Sequence, residues 1–414
     1  MSLRTIAYVL STAGVLAACS SPRSAPAGER HAVAAAATPS AALDPKSVEV
    51  PLEALAGWNA SLVLDQGSVG IWTVMSMKVF PQYGCPELVG IDDLGRCHVL
   101  WSYSGKWTPV TTIADGTWLG GLALADVDAR VPGKELYTGS KSGNLYEVVA
   151  YPDAHLDNRL IGSVGAREVH TIVAGELDPR TAGEELLVFT SPGGLFRARP
   201  RSDGIDGFQV ELLENLPGRV RDAVVLPTRP GKPAEVMTIG RDGKLQVLSI
   251  DERGPKWTTV YERAMGMGRI ALRPPELGAA LVAYSVCDDG LVFRHERDGD
   301  ERWRTELIYV GPQGMRGVAA GRFDVDPKVE TLAVFGYSAR VELLSRRGDA
   351  WRAETIFHER EKGHWICRAE VDGRNGTDEL VATGYSGRIV LLARPPGCGL
   401  NAPGAALAPL NDAV

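Results

Sequence analysis

Short apolar runs separated by turn residues recur along the chain with a nearly constant period. Each unit opens on an acidic or small residue, and the seven openings are Glu87, Glu135, Glu185, Glu235, Ala280, Glu330 and Glu379. Successive openings lie 45 to 50 residues apart. A regular period of this length is typical of propellers and solenoids, in which each repeat is one small supersecondary unit.

Each unit predicts four short strands. Two apolar runs flank "SG", "GG", "DG" or "LG", and glycine readily supplies the positive φ of a tight hairpin turn. A third run follows, such as "WRTELIY" at 303–309, and then a run of small residues, such as "RGVAAGRFDVD" at 316–326. Four strands per unit, repeated radially, indicate a β-propeller. No segment shows convincing helical periodicity.

The seventh unit ends after its third strand, and its missing strand is expected at the other end of the chain. The run "WNASLVLDQG" at 58–67 matches the outer strands of the other units. We therefore predict that "SLVLD" (61–65) pairs with "RIVLLA" (388–393), which closes the ring and removes an exposed sheet edge. The predicted fold is all-β: a seven-bladed propeller of four-stranded blades over residues 52–396, followed by a tail at 397–414.

The first 50 residues predict an export signal and a tether. Arg4 precedes a short apolar run that ends in Leu16-Ala17-Ala18-Cys19. This segment resembles the lipobox of bacterial lipoproteins. The resemblance implies removal of residues 1–18, lipidation of Cys19 and, because Ser20 follows, attachment to the outer membrane of the cell envelope. An ordinary signal peptide is the alternative. Residues 19–50, rich in Ala, Ser and Pro, predict a flexible spacer.

Composition narrows the possible partners. The 414 residues carry a net charge of −7, whereas a nucleic-acid surface usually needs a basic stripe. No apolar run reaches the roughly 18–20 residues of a membrane-spanning helix. We therefore expect no nucleic-acid partner, membrane contact only through the lipid on Cys19, and a monomer.

Four loops between the first and second strands of a unit share an acidic pattern. They are "DVDARVPGKEL" (126–136), "ELDPRTAGEEL" (176–186), "FDVDPKVETL" (323–332) and "EVDGRNGTDEL" (370–380). The pattern resembles the FG-GAP/VCBS repeats of the integrin α-chain propeller. That family often binds calcium in this loop, so the resemblance implies calcium as a candidate cofactor. The best acidic set is Asp126, Asp128 and Glu135, and the next is Asp372, Asn375 and Asp378. Capping of turns by the same acids is the alternative.

A second group of residues is expected to converge at the mouth of the central channel. Alignment of the innermost strands places these side chains at one level: His170, Arg221, Arg269, Arg316 and His364, with Trp72, Trp118 and Trp365 close by. Arginine side chains suit carboxylate or phosphate, and histidine ordinarily titrates between about pH 5 and 8. These side chains would otherwise face water or pair with neighbours such as Glu168 and Asp222.

No enzyme motif stands out, so three functions remain. The first is a binding module for a partner protein or an acidic glycan at the channel mouth. The second is a carbohydrate-active lyase or hydratase with His170 or His364 as its base, and the third is a scaffold of an envelope complex.

Export permits disulfides. Strand positions favour a Cys85–Cys398 bond and leave Cys97, Cys287 and Cys367 reduced.

Overall fold

A computed structural model describes residues 52–395, except for 81, 104–105, 114–115, 132, 204, 230–231, 279, 300–301 and 372–375. Its strands form seven separate four-stranded antiparallel sheets, each one blade of a propeller. The prediction of an all-β, seven-bladed propeller is therefore confirmed. One short 3₁₀ turn, Pro275–Leu277, interrupts the pattern, and no helix of the described part is long and apolar enough to cross a membrane.

Blades 1 to 6 each use four strands in chain order from the ring axis outward. Blade 1 contains β2 (Ile71–Met77), β3 (Glu87–Asp92), β4 (Arg96–Tyr103) and β5 (Lys106–Ile113). Blade 2 contains β6 (Leu119–Ala125), β7 (Glu135–Ser140), β8 (Asn144–Ala150) and β9 (Leu156–Ser163). Blade 3 contains β10 (Glu168–Gly175), β11 (Glu185–Ser191), β12 (Gly194–Pro200) and β13 (Phe208–Glu214). Blade 4 contains β14 (Val220–Val225), β15 (Val236–Gly240), β16 (Lys244–Asp251) and β17 (Gly254–Glu262).

Blades 5 and 6 follow the same order, and β1 completes blade 7 as its outermost strand. Blade 5 contains β18 (Met267–Leu272), β19 (Val282–Cys287), β20 (Leu291–Asp298) and β21 (Arg302–Val310). Blade 6 contains β22 (Met315–Gly321), β23 (Thr331–Gly336), β24 (Arg340–Arg347) and β25 (Ala350–His358). Blade 7 contains β26 (Gly363–Ala369), β27 (Glu379–Gly384), β28 (Arg388–Ala393) and β1 (Asn59–Asp65).

The N-terminal strand closes the ring. β1 pairs antiparallel with β28, and the register matches Ser61 with Leu391 and Asp65 with Arg388. The predicted pairing of 61–65 with 388–393 is confirmed. Val63 of β1 packs into the cluster between blades 7 and 1, while Trp58, only 4% exposed, packs into the cluster between blades 6 and 7. The closing strand is therefore held by side chains as well as by its backbone.

The hydrophobic core lies between the sheets rather than in one central mass. Seven clusters of buried side chains fill the seven interfaces between neighbouring blades. The second strand of each blade is buried along its length, as in β3, β7 and β27. A strand buried on both faces needs an apolar run instead of alternation, and this explains the compact runs that define the repeat.

The recurrent acid at the start of the second strand has a structural role in several blades. The Glu87 carboxylate accepts the backbone N–H of Val79 at 2.7 Å, and Glu379 accepts that of Val371 at 2.9 Å. The Glu185 carboxylate accepts the N–H of Leu177 at 3.2 Å. Each acid thus fixes the loop that leaves the innermost strand, as the turn-capping interpretation requires.

Candidate functional site

A bulge near the start of every innermost strand directs one or two residues out of the regular ladder. The residues omitted from the pairing between first and second strands are Trp72, Gly121, His170, Arg221, Gly268 with Arg269, Arg316 and His364. A bulge leaves its extra residue unpaired and re-aims its side chain. Seven bulges at one level therefore direct these positions toward the ring axis. In blade 2 the position is Gly121, where a Cβ would lie 2.5 Å from the backbone nitrogen of Ile172.

The re-aimed side chains line one cavity of about 310 Å³. Seven of the eight residues predicted for the channel mouth are in its lining: Trp72, Trp118, His170, Arg221, Arg269, Arg316 and His364. The eighth, Trp365, lies beneath the Arg269 guanidinium, whose carbon is 4.7 Å from the indole centroid. Trp365 thus contacts the site through Arg269.

Two of the arginines share a carboxylate that the sequence analysis missed. Arg221 donates to both oxygens of Asp288 at 2.8 and 2.9 Å, and Arg316 donates to one of them at 2.5 Å. Arg221 also donates to the Met267 carbonyl at 3.0 Å, so its position is fixed by blade 5. Glu168 and Asp222, the partners considered from the sequence, do not form these ion pairs in the described structure.

Arg219 and Arg269, unlike this pair, form no ion pair with a carboxylate of the described residues. Arg269 donates to the Arg221 carbonyl, and burial lowers the pKa of Arg269 to about 10, against the attraction of Asp222 and together with the repulsion of Arg221. Arg219 was not predicted for the site. Burial and the charge of Arg221 also lower the pKa of Arg219, and its buried Nε has no hydrogen-bond partner among the described residues. Crowded cations of this kind favour an anionic guest.

The two histidines are neutral, contrary to the expectation that they would titrate between about pH 5 and 8. Burial, with the charge of the neighbouring Arg269 adding to its effect, lowers the pKa of His364 to about 3. Burial likewise lowers the pKa of His170 well below its ordinary value, with Arg219 adding to the effect. The His364 Nδ1–H donates to the Trp72 carbonyl at 2.9 Å, which leaves Nε2 as the acceptor of a neutral ring.

The hairpin turns between second and third strands supply further residues to the site. In six blades the first turn residue donates its N–H to the carbonyl just before the innermost strand, as Tyr337 does to Gly314 at 3.0 Å. This bond brings Asp93, Tyr337 and Tyr385 to the cavity. Arg316 lies over the Tyr337 ring at 4.9 Å. The phrases "FGYS" and "TGYSG" were visible in the sequence, but the direction of their tyrosines was not.

Other aromatic side chains pack edge to face around the rim. Trp72 contacts His364 at 4.7 Å and Tyr385 at 5.0 Å between ring centroids, and its indole N–H donates to Asp93. Trp118 meets His170 at 5.8 Å. These contacts hold apolar ring surface beside the arginines.

The structure does not support the predicted calcium site at Asp126, Asp128 and Glu135. Asp128 is paired with Arg130 at 2.7 Å and with Arg159 at 2.5 Å, so arginine nitrogens occupy the oxygens that a metal would need. Across the described residues no group of three or more His, Cys, Asp or Glu could hold a metal ion. In the second set, Asp372 and Asn375 lie outside the described residues, and Asp378 accepts the N–H of Arg322 at 2.6 Å and pairs with Arg368.

The cysteine and N-terminal predictions fall partly or wholly outside the described residues. Cys85 is an exposed thiol and Cys97, Cys287 and Cys367 are free, while Cys398 is not described, so the Cys85–Cys398 disulfide stays a prediction. Peptide mapping under non-reducing conditions would test it, and a Cys85–Cys97 peptide would contradict it. Residues 1–18, Cys19 and the spacer also lie outside the described part.

Fold and site together define a seven-bladed β-propeller with an arginine-rich, aromatic-lined central cavity. Comparison with models of known protein families finds no match, and comparison with curated proteins finds none either.

Proposed function

We propose that this protein is a binding module that holds an acidic group of its ligand in the central cavity. The observation that carries the proposal is the ring of bulges, which directs Arg221, Arg269 and Arg316 into one cavity with Arg219. Arginine offers paired donors that match a carboxylate or phosphate, and such charged hydrogen bonds are stronger than neutral ones. Asp93 and Asp288 offset only part of the charge of the four arginines, so the cavity keeps a net positive charge.

The attraction comes from arginine rather than from histidine. Arg269 keeps its charge at neutral pH because its pKa, although lowered by burial, is still about 10. The neutral rings of His170 and His364 instead provide hydrogen-bonding atoms. Ligand affinity is therefore expected to fall with added salt and to change little between pH 6.5 and 8.

The same histidines disfavour the lyase or hydratase alternative. An efficient general base has a pKa near the operating pH. Burial holds the pKa of His364 at about 3 and that of His170 well below its ordinary value, so both are weak bases. A scaffold would not need the cavity, so substitutions in the cavity should impair a binding module and leave a scaffold unaffected.

We further propose that the propeller is exported and lipid-anchored through Cys19 in the cell envelope, as the lipobox-like segment suggests. We also propose that the blades are related to FG-GAP/VCBS repeats, as their acidic loop pattern suggests. It is supported by the acid at the start of the second strand, which fixes the preceding loop in several blades. Radiolabelled palmitate should label the wild-type chain and not a Cys19→Ala variant, and labelling of both would refute the anchor.

Titration calorimetry with glucuronate tests the proposed function. Arg219→Gln and Arg316→Gln, each removing one charged donor, should weaken binding roughly tenfold. Arg302→Gln, at a side chain 82% exposed on β21, is the matched control and should leave the affinity unchanged. Arg221 and Arg269 are poorer targets because both donate to backbone carbonyls between blades. Binding that is absent, or unaltered by both cavity variants while thermal melts show folded protein, would refute the proposal.

A further inference from the structure

A second depression opens beside the central cavity and shares a residue with it. This groove, about 140 Å³, lies between blades 3 and 4, where the loop 216–219 faces the hairpin turn at Gly240–Lys244. Arg219 lines both the groove and the cavity. The two spaces thus meet at an arginine whose buried Nε has no hydrogen-bond partner in the described part of the chain.

The far end of the groove is formed by a tryptophan that is out of step with its counterparts. Trp107, Trp303 and Trp351 each lie one residue pair from the hairpin that begins their outer strand. Trp257 lies three pairs from the equivalent hairpin, which is two residues further along β17. Because side chains alternate along a strand, this shift keeps the indole on the same face but moves it toward the groove.

The groove chemistry differs from that of the cavity. The Trp257 indole N–H donates to Glu214 at 2.8 Å, which fixes the ring, and Gln246 adds an amide. The charged lining is balanced, since it contains two cations, Arg219 and Lys244, and two carboxylates, Glu214 and Asp242. A fixed aromatic side chain beside neutral and charge-balanced hydrogen-bonding groups suits an uncharged, hydroxyl-rich unit better than a second anion.

We infer that the ligand is a linear acidic glycan of at least two sugar units. Its carboxylate-bearing unit occupies the central cavity, and a neutral neighbouring unit crosses Arg219 into the groove against Trp257. The inference rests on the proposed function, because it assumes that the cavity holds the acidic group. It extends that function by selecting a glycan over an acidic protein loop and by predicting alternation of acidic and neutral units.

Calorimetric titration of the full chain with four probes tests the inference. The probes are glucuronate, a hyaluronan tetrasaccharide with alternating acidic and neutral sugars, an oligogalacturonate tetramer with only acidic sugars, and the peptide Gly-Asp-Glu-Gly. The alternating tetrasaccharide should bind at least roughly tenfold tighter than glucuronate, because it adds stacking and hydrogen bonds in the groove. It should also bind tighter than the uniformly acidic tetramer and the peptide.

Groove variants separate this inference from the cavity. Trp257→Phe combined with Gln246→Ala should remove most of the advantage of the tetrasaccharide and leave glucuronate affinity unchanged. Trp303→Phe, which alters an outer-strand tryptophan of blade 5, is the matched control. Gly218→Leu is a second test, because a Cβ there meets Asp242 only at an ordinary 3.4 Å and the side chain would then fill the groove.

The outcomes are distinct. Equal affinity for glucuronate and the alternating tetrasaccharide, or a gain that survives Gly218→Leu, would overturn the groove inference and leave the proposed function intact. Tightest binding of the uniformly acidic tetramer or of the peptide would overturn it in the same way. Failure of all four probes to bind would overturn both.

Discussion

His364→Asn should flatten the fall in stability that the wild-type protein shows on acidification. His364 is half-buried against Trp72 and Arg269, and its folded-state pKa of about 3 lies below the 6.5 of an exposed histidine. Between these values the unfolded chain binds a proton that the folded chain does not. The stability contributed by the neutral ring is therefore complete above about pH 6.5 and is lost as the pH falls. Asparagine retains an N–H donor for the Trp72 carbonyl and removes the titration.

The expected size follows from the pKa difference. A group that shifts from about 6.5 to about 3 lowers the free energy of unfolding by about 2 kcal/mol between pH 7.5 and pH 5. Urea denaturation at several pH values, followed by tryptophan fluorescence, measures that change in each protein. The wild type should lose about 2 kcal/mol more than His364→Asn over this range, because the two proteins differ only at this side chain.

His358→Asn, at an exposed position, is the control and should follow the wild-type curve. Parallel curves for wild type and His364→Asn would refute the assignment of a neutral His364.

Three further predictions follow from the fold and the site. Deletion of residues 52–66 removes β1 and exposes the β28 edge, so it should lower the melting temperature and promote aggregation, and an unchanged monomeric melt would contradict ring closure. Asp288→Asn should cost about 1–3 kcal/mol in urea denaturation and should tighten glucuronate binding, because two arginines lose their shared counter-charge; no change in either measurement would contradict the ion pairs. Burial raises the pKa of Glu135 to about 7, so the wild type should lose free energy of unfolding as the pH rises from about 4.5 through 7, and Glu135→Gln should not show this loss. Identical pH profiles of the free energy of unfolding for the two proteins would count against the shift.

Much of the fold could be predicted because each blade repeats the same local physics. The two-sided burial of second strands such as β7 requires an unbroken apolar run, and the acid at its start is visible as a period. The position of the closing strand could be predicted because 58–67 carries the pattern that the seventh unit lacks. Such signals depend on residue type and spacing alone.

The cavity was only partly predictable. Alignment of the innermost strands placed Arg221 and Arg316 correctly, because the bulge falls near the same point in each strand. Asp288 and Tyr337 were missed, since they lie on turns and reach the site through a backbone bond that residue type does not encode. The charge state of His364 could not be predicted either, because its pKa depends on burial against Trp72 and Arg269 of other blades.

At the acidic loop from Asp126 to Glu135, the sequence suggested a ligand site that the structure does not support. Its composition matched a calcium loop, but residues distant in sequence decide what the oxygens bind. Arg159, which lies on β9 of the same blade, reaches Asp128 and neutralises it. A composition pattern cannot distinguish an oxygen that will bind metal from one that will bind arginine when the cation comes from another strand.

The pairing of β1 with β28 also sets an order of events during synthesis. β1 has no partner until β28 has been synthesised, so blade 7 can be completed only after the strands of the other six blades have been made. Contacts between distant parts of a chain carry a larger closure entropy and form late. A growing chain would therefore carry an unpaired N-terminal strand beside partly built blades, and a chain cut short before Arg388 could never form a closed ring. Ring closure thus acts as a check that the whole repeat array is present.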